Sequence, residues 1–340
     1  MKISSVLGLC VLGSTLLLAG NSLVEKAKSN GLTPIPDSKL ALLKIIDDPK
    51  DPITNAKVEL GKKLYFDPRI SKSGIISCNT CHNLGLGGVD GVSAAIGNKW
   101  TPNPHHLNSP TVYNSVFFTA QFWDGRSPNL ADQAQGPTLA SPEMAASPKH
   151  IEDVVTSMPS YIKEFKLAYG DNVKVDFKRI TSTIAIFEKT LVTPSRYDDF
   201  LNGDSSALNK AEKEGLSTFI NKGCVSCHTG IALGGTMQPF ELAGKYKFAK
   251  VGDFRGDKKG MVKTPTLRNI TETAPYFHNG EVWSLKDAIK MMGSIQLGIK
   301  INDKDAMKIK TFFKALKGRK PNISYPQLPE STSTTPKPVD

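Results

Sequence analysis

The sequence lacks the features that mark several common classes of protein. Alternating apolar and polar residues, the pattern of a half-buried strand, are scarce among the 340 residues. After the first twenty residues, no stretch approaches the roughly 20 apolar residues that a membrane-spanning helix needs. The net charge is +11, but the lysines are scattered, which argues against a nucleic-acid ligand. Hydrophobic residues make up 39%, so the sequence does not predict disorder.

The first twenty residues differ from the rest of the chain. Lys2 supplies a positive charge, residues 3–19 are apolar or small without an acid, and Ala19 and Gly20 offer small residues for cleavage. We interpret residues 1–20 as a secretory signal peptide, with an uncleaved anchor as the alternative. No cysteine follows this segment directly, which argues against a lipoprotein anchor. We therefore expect a soluble, exported protein of the periplasm.

Helical periodicity recurs along the remaining chain. Residues 147–158, 176–191, 208–221, 284–292 and 303–317 place apolar side chains on one face, and several of these segments begin with a residue that can cap a helix. The predicted fold class is mainly α.

The chain also contains a crude duplication of one unit, in which a helix, a close cysteine pair and a wrap rich in glycine and proline follow one another. The unit occurs at 56–146 and again at 208–300, and a break near 193–204 is the expected domain boundary. The last twenty residues hold five prolines and a cluster of serine and threonine, so we expect them to be extended and mobile. The predicted division is an N-terminal domain at 21–195, a C-terminal domain at 196–320 and a tail at 321–340.

Four of the five cysteines form two close pairs, each followed directly by a histidine. Residues 78–82 read CNTCH and residues 224–228 read CVSCH. Two thiols at this spacing reach the two vinyl groups of one haem, and the next histidine then lies beneath the iron as a ligand. The alternatives are a four-cysteine zinc site and a thioredoxin-like pair, but histidine is rare in this chain and follows both pairs. We predict two covalently bound haem c groups, held by Cys78, Cys81 and His82 and by Cys224, Cys227 and His228.

The occupant of the sixth position on a haem iron separates electron transfer from catalysis. Met291 and Met292 both lie in the helix predicted after Ser284. Only Met292 falls on the face of Leu285, seven residues earlier, because Met291 is rotated by about 100°. A methionine in such a helix is more often a core residue, but the open ligand position favours Met292 as the second ligand of the second haem.

Several segments together resemble the bacterial dihaem cytochrome c peroxidases over nearly the whole mature chain. The resemblance implies two cytochrome c-like haem domains in a homodimer. It also implies the reduction of hydrogen peroxide with electrons from a cytochrome c or another small redox protein. The first haem is implied to be the low-potential peroxidatic site and the second the high-potential site that receives electrons. The segments that carry the resemblance are 78–90 (CNTCHNLGLGGVD), 108–111 (NSPT), 121–126 (QFWDGR), the second haem motif and 275–280 (PYFHNG).

The same resemblance implies roles for three further side chains. Gln133 and Glu143 match the polar pair on the distal side of the peroxidatic haem, where Glu143 suits the transfer of a proton between the two peroxide oxygens. Trp123 matches the tryptophan that lies between the haems, a plausible electron bridge. Without the resemblance, Glu143 reads as a loop residue and Trp123 as a core aromatic.

A calcium ion between the domains is also implied by the resemblance. Its protein ligands map onto the side chain of Asn108 and the backbone carbonyls of Thr273 and Pro275, and such neutral oxygens suit a hard cation that binds with moderate affinity. His278 follows closely, and we expect it beside the second haem rather than on an iron.

The sequence departs from the family at one position. Many members have a histidine two residues before the tryptophan of the loop after the first haem motif, and it blocks that haem in the resting oxidised enzyme. Here Asn98 stands two residues before Trp100, and asparagine is a poor haem ligand. His105 and His106 could substitute, and solvated loop histidines are the alternative.

Two other functions compete with that of a peroxidase. A pure electron carrier needs both haems six-coordinate and makes Gln133 and Glu143 incidental. A dihaem oxidase that modifies a partner protein is the other. The relatives that mature a quinone cofactor carry tyrosine where Met292 falls, which disfavours this reading.

Overall fold

The computed structural model describes residues 22–339, so the predicted signal peptide at 1–20 lies outside the described residues. Most regular structure in this range is helical, which confirms the predicted fold class, and two short strands, β1 (Met237–Pro239) and β2 (Met261–Lys263), pair antiparallel. Across residues 22–339, none of the helices has both the length and the apolar character needed to cross a bilayer. The helices are α1 (22–29), α2 (Lys39–Ile46), α3 (Asn55–Phe66), α4 (Cys78–Cys81), α5 (Leu130–Gln133), α6 (Gln135–Leu139), α7 (Pro148–Thr156), α8 (Pro159–Tyr169), α9 (Phe177–Lys189), α10 (Arg196–Leu201), α11 (Lys210–Asn221), α12 (Leu285–Leu297) and α13 (Asp303–Phe313).

The starts of three helices follow directly from their capping residues. Ser147, Asp176 and Ser284 each accept a hydrogen bond from a backbone N–H in the first turn of α7, α9 and α12. These are the residues at which the sequence predicts helices to begin. Pro159 differs from expectation. It opens α8 instead of only closing the preceding helix, because proline is well tolerated at the first helical position.

The buried side chains form two main clusters that correspond to the two halves of the chain. One cluster joins α3, α7, α8 and α9, and the other joins α10, α11, α12 and α13. Leu191 belongs to the first cluster and Tyr197 to the second, so the boundary predicted at 195 falls between them. The sequence predicts residues 22–37 within the N-terminal domain, but Ala27 and Leu32 pack in the C-terminal cluster.

Each cluster contains one pair of helices that cross at a glycine. A Cβ atom on Gly61 of α3 would overlap the carbonyl oxygen of Thr183 in α9, and one on Gly215 of α11 would overlap that of Lys308 in α13. Only glycine allows the backbones to approach this closely. In both halves the first helix of the pair leads toward a cysteine motif, so the structure repeats the duplication seen in the sequence.

The tail after residue 320 lies against the N-terminal half. Ile323 packs on the first cluster, and the Arg69 guanidinium donates to the carbonyl of Pro329 at 2.8 Å. Near the end, the hydroxyls of Ser157 and Thr335 lie 2.8 Å apart. Composition predicted an extended, mobile tail, and the structure shows an extended segment with these fixed contacts.

Candidate functional site

Each cysteine motif opens into its own cavity. The first contains about 1290 Å³ and the second about 1530 Å³ of space outside protein atoms, part of it open to solvent. The predicted site residues divide between the two. The first cavity is lined by Cys78, Cys81, His82, Gln133 and Glu143. The second is lined by Cys224, Cys227, His228, Met292, Asn108, Thr273 and Pro275. Trp123 lines both cavities, and Asn108 also reaches the first.

The two motif histidines are held by the same kind of hydrogen bond. Nδ1 of His82 donates to the carbonyl of Pro110 at 2.9 Å, and Nδ1 of His228 donates to that of Leu233 at 3.0 Å. A carbonyl can only accept, so Nδ1 carries the proton and Nε2 keeps a lone pair for a metal. Burial lowers the pKa of His82, and that of His228 to about 4, which favours the neutral ligand form.

The cysteines do not form the sites considered as alternatives. The two pairs lie in separate cavities, and residues 22–339 contain no group of three or more His, Cys, Asp or Glu side chains that could hold a metal ion. Burial raises the pKa of Cys81 to about 12 and that of Cys224 to about 11, whereas a thioredoxin-like pair needs a lowered pKa. Free thiols beside an oriented histidine in a large apolar cavity fit a haem c in each half.

Gln133 and Glu143 are two of the polar side chains that line the first cavity. Gln133 ends α5, and Glu143 lies in the turn after α6. The pKa of the Glu143 carboxyl is raised by burial, although the charges of Arg126 and His105 oppose the shift. The backbone N–H of Asn98 donates to the carbonyl of Glu143 at 2.7 Å, so the loop after the first motif fixes this turn. The first cavity therefore presents a carboxyl group whose protonated form is favoured by burial.

The second cavity is lined by the inner face of α12. Leu285, Ala288, Ile289 and Met292 all contribute to its wall, whereas Met291 does not, although both methionines are partly buried. This agrees with the prediction that Met292, and not Met291, lies on the same face of α12 as Leu285. Met292 is thus the methionine available to a group bound beside His228.

The wall between the cavities is built around Trp123. Its indole is buried and donates from Nε1 to the carbonyl of Asn108 at 3.0 Å. His278, also buried on the second cavity, lies edge-on with its ring centroid 6.4 Å from that of Trp123. An aromatic side chain common to both cavities is suited to couple groups that bind in them.

The three residues predicted to bind calcium, Asn108, Thr273 and Pro275, all line the second cavity. The side-chain nitrogen of Asn108 donates to the carbonyl of Val92 at 2.8 Å, which leaves its Oδ1 available. Within residues 22–339, neither this oxygen nor the carbonyls of Thr273 and Pro275 accept a hydrogen bond. They are neutral oxygens of the kind that calcium binds.

The candidate substitutes for the absent loop histidine lie elsewhere. Nδ1 of His105 is 2.8 Å from Asp253 Oδ2, and Nε2 of His106 is 3.0 Å from Glu281 Oε1. Neither histidine, nor Asn98, lines the first cavity. Both histidines are therefore paired with acidic side chains of the C-terminal half.

Sequence reasoning missed two charged residues that line the cavities. Glu188 is buried on the first cavity, one of its carboxylate oxygens has no partner within the described range, and burial raises its pKa to about 8. A signal was present, because Glu188 follows Ile184 by four residues on the predicted inner stripe of α9. Lys263 lines both cavities from β2, and no periodicity in the sequence pointed to it.

Comparison with known proteins identifies the family. Residues 55–206 match the family described as di-haem cytochrome c peroxidase. The chain is 45% identical over 303 residues to the cytochrome c551 peroxidase of Pseudomonas aeruginosa, covering 85% of this chain and 86% of that protein. It is 47% identical over 290 residues to the cytochrome c551 peroxidase of Nitrosomonas europaea, covering 82% and 85%.

A solved structure supports the fold. A MauG-like protein associated with microbial copper homeostasis aligns with a TM-score of 0.70 at 24% identity, covering 80% of this chain and 92% of that chain. At this identity the likeness concerns the fold alone. The sequence relatives and the two cavities together show that the chain belongs to the dihaem cytochrome c peroxidase family.

Proposed function

We propose that this family member is a peroxidase that reduces hydrogen peroxide to water with electrons from a cytochrome c or another small redox protein. The observation that carries the proposal is the difference between the two cavities. The second offers Met292 beside His228, a pair that suits electron transfer, whereas the first offers a glutamine and a glutamate of raised pKa beside His82. The similarity to two cytochrome c551 peroxidases supports the same reading.

Each cavity would hold one haem. Cys78, Cys81 and His82 would hold one haem c, and the second motif with Met292 would hold the other. When bound, the haems supply redox-active iron, and the first supplies a coordination position for peroxide.

Glu143 and Gln133 act on the peroxide itself. Reduction of one peroxide to two waters consumes two electrons and two protons, and cleavage is easier when a proton moves from the near to the far oxygen. The Glu143 carboxylate would accept the proton from the near oxygen, and the resulting carboxylic acid would return it to the far oxygen, while the Gln133 amide would donate a hydrogen bond that orients the substrate. Trp123, in the wall between the cavities, provides the route for electrons from the second site to the first.

Replacement of Glu143 tests the proposal. Glu143→Ala should keep two haems per chain and the absorption spectrum of the second haem, yet lose roughly 10²–10⁴-fold in steady-state peroxide reduction. Glu214→Ala, a change of the same type at an exposed site on α11, is the control and should keep full activity. If both variants turn over like the unchanged protein, the proton-transfer role lies elsewhere. If the unchanged protein is inactive with two haems, the chain is an electron carrier.

The resting state of the first haem follows from the loop that contains Asn98. Neither Asn98 nor the two nearby histidines line the first cavity, so we expect no nitrogen ligand opposite His82 in the oxidised protein. Electron paramagnetic resonance of the ferric protein should then show high-spin iron beside a low-spin haem. Two wholly low-spin haems would refute this, and recovery of high-spin iron in His105→Ala or His106→Ala would identify the ligand.

The calcium site, the location and the assembly complete the proposal. Asn108, Thr273 and Pro275 would bind one calcium ion. Metal analysis after dialysis with and without a chelator tests this, with Asn108→Ala as the binding-deficient variant.

Export to the periplasm predicts loss of residues 1–20, which N-terminal sequencing of the mature protein checks. A homodimer predicts twice the monomer mass in light scattering.

A further inference from the structure

The two cavities share one wall, and that wall contains a single charged side chain. Because the cavities are formed by different halves of the chain, a residue that lines both can act on groups bound in either. Lys263 is the charged member of this set. The residues that line both cavities are Asn108, Ser109, Pro110, Thr111, Phe118, Trp123 and Lys263.

Lys263 is buried without a carboxylate partner among the described residues. Its relative exposure is 3%, and no acidic oxygen of residues 22–339 lies within 4.0 Å of its ammonium group. The ammonium Nζ instead lies 4.7 Å from the centroid of the Phe118 ring. Asp124 acts on it only at longer range and is itself paired with Arg126 at 2.8 Å.

A buried ammonium group without a counter-charge is unfavourable, because burial removes the water that stabilises its charge. Burial accordingly lowers the pKa of Lys263 to about 7 in the chain alone. A bound anion would remove this penalty. Each haem brings a pair of propionate carboxylates, which are anions of the right charge and size for a lysine that faces the haem cavity.

We propose that Lys263 is a shared carboxylate-binding site, whose ammonium group pairs with a propionate of each of the two haems. The inference rests on the proposed function, because it requires a haem in both cavities. Lys263 is a positioning residue in this role. Its backbone N–H donates to the carbonyl of Trp123 at 2.7 Å, so the backbones of the two residues are fixed against each other at this wall.

A positive charge at this wall has a measurable effect on both haems. It stabilises the reduced state of each iron, because reduction lowers the net positive charge of the haem. Removal of the charge should therefore lower both midpoint potentials. Arg126 cannot provide the same effect, since it borders only the first cavity and is paired with an aspartate.

The test compares Lys263→Met and Lys263→Arg by spectroelectrochemical titration, after the haems per chain have been counted from the pyridine haemochrome spectrum. Lys263→Met should retain two haems and shift both potentials downward, whereas Lys263→Arg should keep both near those of the unchanged protein. Lys259→Met removes the same charge from an exposed turn nearby and should shift neither.

The outcomes separate this inference from the proposed function. Two haems with unchanged potentials in Lys263→Met, or a shift confined to one haem, would overturn the shared site. Loss of a haem in Lys263→Met but not in Lys263→Arg would support it, because charge would then be needed to seat the cofactor. Loss of a haem in both variants would show that haem binding depends on the shape of the lysine side chain and not on its charge, and would overturn the shared site. Fewer than two haems in the unchanged protein would instead contradict the proposed function.

Discussion

Burial determines the protonation state of Glu188, an acidic residue that faces the first cavity. Its carboxyl group is packed on the inner face of α9, and burial alone raises its pKa to about 8. The group is therefore neutral at neutral pH in the folded chain and ionised in the unfolded chain. Folding becomes less favourable at any pH at which Glu188 has released its proton in the unfolded chain but keeps it in the folded chain.

This difference predicts a pH-dependent stability. The unfavourable contribution of Glu188 is absent below about pH 4.5, grows as pH rises toward 8, and is constant above that value. Glu188→Gln stays neutral, so its free energy of unfolding should exceed that of the unchanged protein by an amount that increases from pH 5 to pH 8. The increase should be on the order of a few kcal/mol. Denaturant unfolding at several pH values measures it, with the exposed Glu25→Gln as control. A difference that does not vary with pH would show that Glu188 titrates normally.

The two methionines of α12 provide a matched pair. Met292→Ala should lower the potential of one haem and slow turnover, because a thioether ligand raises the potential of a histidine-ligated haem. Met291→Ala should leave both potentials nearly unchanged, since Met291 does not line the second cavity. A redox titration distinguishes them, and the reverse pattern would refute the ligand assignment.

Residues whose role depends on local spacing could be predicted, and residues whose role depends on distant partners could not. The facing of Met292 follows from helical periodicity within α12. The carbonyl partner of His82 comes from Pro110, and Lys263 meets the first cavity only because β2 reaches across from the other half. Nothing near these residues in the sequence encodes such contacts.

At the scale of elements, the close helix crossings at Gly61 and Gly215 organise the two halves. Each crossing places the helix that leads to a cysteine motif, α3 or α11, against the last long helix of the same half, α9 or α13. The caps that begin α7, α9 and α12 could be read from the sequence. The attachment of residues 22–37 to the C-terminal half could not, because it depends on long-range packing of Ala27 and Leu32.

The close crossing of α3 and α9 at Gly61 predicts the effect of adding one methyl group at that position. Gly61→Ala improves intrinsic helix propensity by about 1 kcal/mol, but its Cβ would overlap the backbone of α9 and force the helices apart. We expect a net loss of about 1–3 kcal/mol in the free energy of unfolding, the range typical of overpacking. Asn55→Ala, at an exposed position of the same helix, should change stability by less than about 0.5 kcal/mol. Equal stability of the Gly61→Ala variant would show that the crossing is not tight.

At the scale of the whole molecule, contacts between the halves surround the wall that the cavities share. His105 and His106 pair with Asp253 and Glu281 of the C-terminal half, and Trp123 donates within the wall itself. These contacts hold the side chains of His105 and His106 against the C-terminal half. The family relationship was predictable from several motifs in order, whereas the acidic partners of His105 and His106 became visible only in three dimensions.

The most direct test is stopped-flow mixing of hydrogen peroxide with the fully oxidised protein that carries two haems. A peroxidase with an open first site should change the absorption of one haem within a single turnover, without any prior reduction. Reduced cytochrome c added afterwards should then be oxidised over many turnovers. A spectrum that changes only after the second haem has been reduced would contradict the open site. A spectrum that peroxide leaves unchanged in both the oxidised and the half-reduced protein would contradict the peroxidase function itself.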